Sequence, residues 1–303
     1  MHSCSIQIQL FLNSRRNRVS AIVTILLLLL CTSLACAAKV LIIGDTQYAV
    51  VAGVAYEVHK YLKTPSTEYA TEDVKGRLAS VVEHEDARIV VALGLDAVNE
   101  AMHLPPHIAV VYGLVVVPPK SLRENLTGVY MSAPVSEYVG IIRRYLPGLA
   151  RFSVVGSQNM LKSLLGGEST EVASYKVGST HELLTTINRL ADRKAILLLP
   201  DANLLTAAVM SNIFLFSFRN NIPLLGISEA HVKQGSLFAL VFDAKAVSRQ
   251  IAEKVQNILN GSGGDALPAT PPGKYNLYIN SNTARKMGIE IPDELLKRAK
   301  KVF

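Results

Sequence analysis

The sequence has no Trp, and its only cysteines are Cys4, Cys31 and Cys36, near the start of a 303-residue chain. If that opening segment is removed, disulfides, thiolate metal sites and cysteine nucleophiles are excluded from the rest. Charge is also sparse. Lys and Arg number 31 against 24 Asp and Glu, for a net charge of +7, and Arg15, Arg16 and Arg18 lie in the first 38 residues, which hold no acid. The remaining excess is small, and no basic stretch is interleaved with aromatics, so nucleic acid is not expected as a partner. Enzyme motifs are missing as well. His181-Glu182-Leu183-Leu184-Thr185 begins like a zinc-protease helix but ends in Thr where the second imidazole is needed. Gly261-Ser262-Gly263-Gly264 lacks the downstream Lys of a phosphate loop, and no G-x-S-x-G elbow is present. His103 and His107 are four apart but separated by Pro105 and Pro106, so no helix presents both to a metal. No catalytic residue, metal or cofactor is expected.

What the chain does contain begins with a leader. Three arginines precede Val19–Ala38, an uncharged run with a leucine-rich centre, which ends in Ala35-Cys36-Ala37-Ala38 before Lys39. This is the basic, apolar, small-residue plan of a secretory signal. Two other readings remain open: an uncleaved membrane anchor, since twenty apolar residues can span a bilayer, and a lipoprotein segment in which Cys36 carries the lipid. All three predict export, with membrane attachment only through the N-terminal anchor or lipid.

From Lys39 onward, short continuous apolar runs alternate with helical patterns. Val40–Ile43, Ile89–Leu93, Ile108–Tyr112, Phe152–Val155, Ala195–Leu199, Ile222–Ile227 and Leu237–Phe242 read as buried parallel strands. Val135, Tyr138, Val139, Ile142 and Leu146 form one helical stripe; Val247, Ile251, Val255 and Ile258 form another. Leu204–Phe218 is apolar but too short for a membrane span, and reads as a buried helix. The chain is predicted to close with a helix opened by Pro292, with Lys297, Arg298, Lys300 and Lys301 toward its end. The alternation implies an α/β fold with parallel sheets. The pattern also occurs twice. Gly44-Asp45-Thr46-Gln47 and Gly156-Ser157-Gln158-Asn159 each follow a strand, Asp86–Ala97 resembles Asp192–Ala202, and Pro106–Val111 parallels Asn221–Leu225, in the same order. Two similar lobes are predicted, with the changeover near Pro118–Val129 and a cleft at the carboxyl ends of their strands.

Several segments resemble the ABC transporter substrate-binding protein family whose better-known members take tryptophan or other aromatic amino acids. They are Asn125–Val129, Tyr145-Leu146-Pro147, Leu199-Pro200-Asp201-Ala202-Asn203, Gly235–Ala239 and, most specifically, Asn280–Leu296 (NSNTARKMGIEIPDELL). The resemblance implies a type I periplasmic-binding-protein fold: two Rossmann-like lobes joined by hinge strands and closing on a ligand. It implies crossings near Val117–Val129, Val241–Ala244 and Tyr278–Asn282. The lobes would then comprise residues 39–120 with 244–277, and 121–243 with 278–303, after a signal peptide at 1–38. It also implies a small-molecule ligand and a membrane permease as partners. The chain departs from the family after its first strand, where Asp45–Val54 runs straight into an apolar helix. It departs again at Leu114–Pro119, where the family has a polar loop. Both places touch ligand in the family, so ligand identity does not transfer, and the resemblance leaves an amino acid, aromatic by default, as the expected ligand.

Candidate ligand-binding residues follow from position at strand ends. Asp45, Thr46 and Gln47 follow the first strand, where they either bind a polar ligand or form a turn and cap. Gly94 and Gly113 either let backbone approach a ligand or serve turns. Asp96 and Asp201 stand at equivalent places past a buried strand, as ligand groups or as helix N-caps, with Asn203 sharing either role. Ser228 and Glu229 are second-lobe candidates, Asp243 is a cap or hinge residue, and Tyr48 and Tyr112 are the aromatics nearest the expected cleft. The expectation is an exported solute-binding protein of an ABC-type importer. A sensory or accessory ligand-binding module and, less favoured, an α/β enzyme are the alternatives.

Overall fold

The computed structural model describes residues 39–121, 123–166, 172–261 and 268–303, so the leader lies outside the described residues. β1 (Lys39–Gly44) is buried from Val40 to Gly44, as an apolar run flanked by strands on both sides must be. It leads into α1 (Ala49–Tyr61), whose Val51, Val54, Ala55 and Val58 form the inward face. There follow β2 (Ser66–Tyr69), α2 (Thr71–Val74), α3 (Leu78–His84), β3 (Ala87–Leu93), α4 (Leu95–Ala101), β4 (Ala109–Val115) and β5 (Leu126–Tyr130). These strands form one fully parallel sheet in the order β2-β1-β3-β4-β5.

The second half continues with α5 (Val135–Tyr145), β6 (Phe152–Gly156), α6 (Gln158–Leu164), β7 (Ala173–Lys176), α7 (Thr180–Asn188) and β8 (Ala195–Leu198). Next come α8 (Ala207–Asn220), β9 (Leu224–Gly226), α9 (Glu229–Gln234), β10 (Phe238–Phe242) and α10 (Ala244–Leu259). β11 (Tyr275–Ile279), α11 (Ser281–Lys286), α12 (Asp293–Arg298) and β12 (Ala299–Val302) complete it. The order β7-β6-β8-β9-β10 repeats that of the first sheet, and β11 and β12 extend it. The duplication reaches atomic detail. A Cβ on Gly44 would lie 2.9 Å from Val51 and 3.1 Å from Leu93, and one on Gly156 would lie 2.9 Å from Leu199. In each lobe the first strand ends on a glycine because the end of the third strand presses against it.

Four sequence expectations change. β11 runs antiparallel to β10, so the second sheet is mixed. Leu126–Tyr130 is a first-sheet strand, so the changeover comes after Tyr130, later than Pro118–Val129. The third crossing precedes Tyr275, because β11 pairs with β10 along its whole length, ahead of the Tyr278–Asn282 that the resemblance implied. Ala299–Val302 is a strand beside β11, so Lys300 and Lys301 follow the closing helix.

The core follows the sheets. Val40, Ile42, Ile89, Val91 and Val111 pack with α1 and with Val247, Ile251 and Val255 of α10. From the opposite face, a second cluster (Leu41, Ile43, Val90, Val110, Tyr112) continues through Tyr130 and Tyr138 to Leu197 and Phe238. The outer face of the second sheet packs against Leu183, Ile187, Ile213 and Phe214. Each such aliphatic side chain contributes about 1.5–3 kcal/mol on burial. α8 buries one face only, and among the described residues no helix is long and apolar enough to cross a membrane.

Candidate functional site

A cavity of about 200 Å3 lies where the carboxyl ends of β8, β9 and β10 meet the first crossing. The second lobe supplies Leu197, Leu199, Pro200, Ile227, Ser228 and Leu240–Phe242, together with Tyr138 of α5. The crossing supplies Met131, Ser132 and Ala133, and the loop after β4 supplies Val116.

Val116 arrives there through a bulge. Leu114 has φ 57°, and the pairing of β4 with β5 shifts between Gly113 and Val115. A Cβ on Gly113 would meet Ile251 Cδ1 at 2.5 Å, and Leu114 packs in the same cluster as Ile251. Two successive residues therefore lie toward α10, and the chain beyond is re-aimed. A left-handed Leu costs roughly 1–2 kcal/mol; such strain at a strand end beside a cavity is the pattern of a shaped site. The re-aimed segment is fastened by Met131 N donating to Val115 O at 2.8 Å and Ser132 Oγ donating to Val116 O at 2.6 Å.

The polar atoms of the cavity are largely committed. Tyr138 is buried, its hydroxyl donates to Gly226 O at 2.8 Å, and its ring stacks on Phe238 at 5.8 Å. Burial holds that phenol's pKa well above the ordinary tyrosine value. Ser228 caps α9, its Oγ accepting from His231 N at 3.1 Å. His231 sits edge-on to Phe214, and burial lowers its pKa below 6.5.

Of the residues singled out by sequence, Ser228 lines the cavity. Glu229 is next to it in the chain and pairs with Lys233 at 3.0 Å and Lys301 at 3.7 Å. The Lys233 hydrogen bond holds its carboxyl below the usual range. Asp201 adjoins Pro200 but is not a helix cap: its Oδ1 accepts from Asn203 N at 3.1 Å in a turn, and Thr206 caps α8. Asp96 is exposed in the first turn of α4, with Gly94 at the cap position, so the two aspartates are not equivalent caps. Asp45, Thr46 and Gln47 form the turn after β1, where Thr46 N donates to Gly44 O and Tyr48 N to Asp45 O. Gly94, with φ 97°, donates its N–H to Gly113 O at 2.9 Å, tying the ends of β3 and β4. Gly113 is a packing glycine beneath α10. Asp243 caps α10, accepting from Ala246 N at 3.0 Å. Tyr112 is core at 1% exposure, while Tyr48 is 58% exposed.

The cavity's aromatic residues, Tyr138 and Phe242, were not singled out. Phe242 carries a signal, as the last residue of a strand before a crossing; Tyr138 sits on a core stripe and carries none. Val116 falls in the Leu114–Pro119 segment already marked as a departure. Among the described residues, no three His, Cys, Asp or Glu gather as a metal site would require.

Two α/β lobes of like strand order, joined by short crossings around a cavity at their strand ends, define a two-lobed binding protein of the periplasmic-binding-protein type. Residues 107–303 match the family described as ABC transporter substrate binding protein, and the chain belongs to that family. No curated protein matches the sequence. Among solved structures, the chain is similar to a ligand-free, open substrate binding protein with adhesive properties from Clostridium difficile. The TM-score is 0.64 at 16% identity, over 88% of this chain and 99% of that one. It is similar to a conserved domain protein from Vibrio cholerae at TM-score 0.56 and 19% identity, over 88% and 100%. An ABC domain in complex with L-Trp from Streptococcus pneumonia gives TM-score 0.54 and 18% identity, over 88% and 99%. At these identities the likeness is one of fold.

Proposed function

We propose that this substrate-binding protein works outside the cytoplasm, closes its lobes around a small organic molecule and delivers it to the membrane permease of an ABC importer. The observation that carries this reading is the cavity itself, which takes Val116 from one lobe, Phe242 and Ile227 from the other and Met131 from the crossing between them. A guest touching all three gains contacts in the closed arrangement that the open one lacks, and this difference drives closure. The leader pattern supports export, and the family supports the permease as partner. The sheets support lobes built from residues 39–130 with α10, and from 135–243 with 275–303. The L-Trp complex of the streptococcal neighbour makes aromatic compounds the first probes.

The test is a thermal-shift screen of small organic compounds followed by small-angle scattering on each hit. A ligand at a hundred times its Kd adds about 2.7 kcal/mol to stability, and the radius of gyration should shrink. Hits with no change in shape would overturn the closure mechanism; a blank across the library would overturn the binding function.

A further inference from the structure

Resting on that reading, we infer that the ligand is a neutral, mainly apolar molecule, and that the protein discriminates against the zwitterionic amino acid bearing the same side group. None of the thirteen residues lining the cavity carries a formal charge. Two of its three hydroxyls have committed their hydrogens, Tyr138 to Gly226 O and Ser132 to Val116 O, and Ser228 Oγ accepts from His231 N while keeping one neutral O–H to donate. Of the acids next to lining residues in sequence, Glu137 is exposed on α5 and outside the lining, and the other three are engaged. Glu229 faces two lysines, Asp201 closes a turn on Asn203, and Asp243 caps a helix. An ammonium or carboxylate brought into such a lining loses its hydration without meeting a counter-charge, which is strongly unfavourable. A ring or branched alkyl group meets Phe242, Met131 and Leu197 instead.

The first lobe supplies a second observation. At or just beyond the carboxyl ends of β1, β3 and β4 it exposes Tyr48, Leu95 and Val116, at 58%, 62% and 36%. Single exposed apolar side chains are ordinary. Three at neighbouring strand ends of a lobe that closes over a cleft make an apolar cover for the guest. The acids at this end of the lobe, Asp45 and Asp96, lie outside the cavity lining.

The experiment compares matched pairs by isothermal titration on protein freed of co-purified compounds: indole against L-Trp, and p-cresol against L-Tyr. The neutral member of a pair should bind at least tenfold tighter. A zwitterion that binds equally well or better would overturn the inference and leave the binding function standing. So would a screen whose only hits are charged. No binding by any compound would overturn both. Val116→Asp, at an exposed position, should weaken the neutral probe at least tenfold with the melting temperature unchanged; unaltered affinity would remove this cavity from the site.

Discussion

The two lobes share a strand order and even the glycine contact that ends their first strands, yet they finish their helices differently. In the first lobe α1, α2, α3 and α4 begin without a side-chain cap, at Tyr48, Ala70, Arg77 and Gly94. In the second, α7, α8, α9 and α11 are capped by Ser179, Thr206, Ser228 and Asn280, while α5, α6 and α12 are not, and α10, which packs on the first lobe, is capped by Asp243. A helix start leaves backbone N–H groups without intrahelical partners, and a cap satisfies one of them. The helices that follow β8 and β9, α8 and α9, are thus capped, and there the second lobe offers an apolar cavity wall. The first lobe starts α1 and α4 without side-chain caps and exposes Tyr48 and Leu95 at the same end. A duplicated architecture is divided between an apolar wall and an exposed apolar cover.

The strongest test of the duplication is steric. Gly44→Ala and Gly156→Ala should each cost about 1–3 kcal/mol in urea unfolding by overpacking. Gly44 should be the worse, because its new methyl would also crowd the Leu93 carbonyl oxygen at 3.1 Å, whereas the three atoms nearest a methyl on Gly156 all belong to the Leu199 side chain. Equal costs near zero would mean the shared contact is incidental.

The capping difference gives a smaller effect of opposite sign in the two lobes. Ser179→Ala and Thr206→Ala should each destabilise by about 1 kcal/mol, while Tyr48→Asp should add up to about 1 kcal/mol by capping α1 and complementing its dipole. Affinity for ligand should fall in Tyr48→Asp even as the melting temperature rises. Destabilisation by all three would show that capping does not distinguish the lobes.

The subtlest effect is confined to the second lobe. Burial depresses the His231 pKa below 6.5, so as pH falls the unfolded chain takes up this proton before the folded one. The stability it secures is complete above pH 6.5 and declines as pH drops toward its folded-state pKa. Carboxylates with lowered pKa values, such as Glu229 and Glu294, act at lower pH. His231→Phe should flatten the melting temperature between pH 6.5 and 5; an unchanged slope would assign the acid sensitivity elsewhere.

Central strands were legible because burial on both faces leaves an unbroken apolar signature, as in Val40–Ile43 and Ala195–Leu198. The edge strands Ser66–Tyr69 and Ala173–Lys176 were not, because one side of an edge is wet and Glu68 and Lys176 are tolerated there. Leu126–Tyr130 was hidden by Thr127 and Gly128, where the glycine admits the Tyr112 ring alongside. For the site, position past a strand end points to Ser228, whereas Val116, Met131 and Phe242 are apolar and read as core. Apolar residues that line a cavity and apolar residues that fill a core look alike along the chain; a bulge such as that at Leu114 separates them only in three dimensions.

The passages at Asp243 and Lys274 carry one more consequence. A single residue separates β10 from α10. Gln250 holds Pro271 O and Gly273 N, leaving Lys274 alone before β11. Asp243 N donates to Lys274 O at 3.1 Å, so the two passages are stitched to each other. With so little slack, these two passages bend as one joint, and any swing of one half on the other turns there and at the passage from Met131 to Pro134.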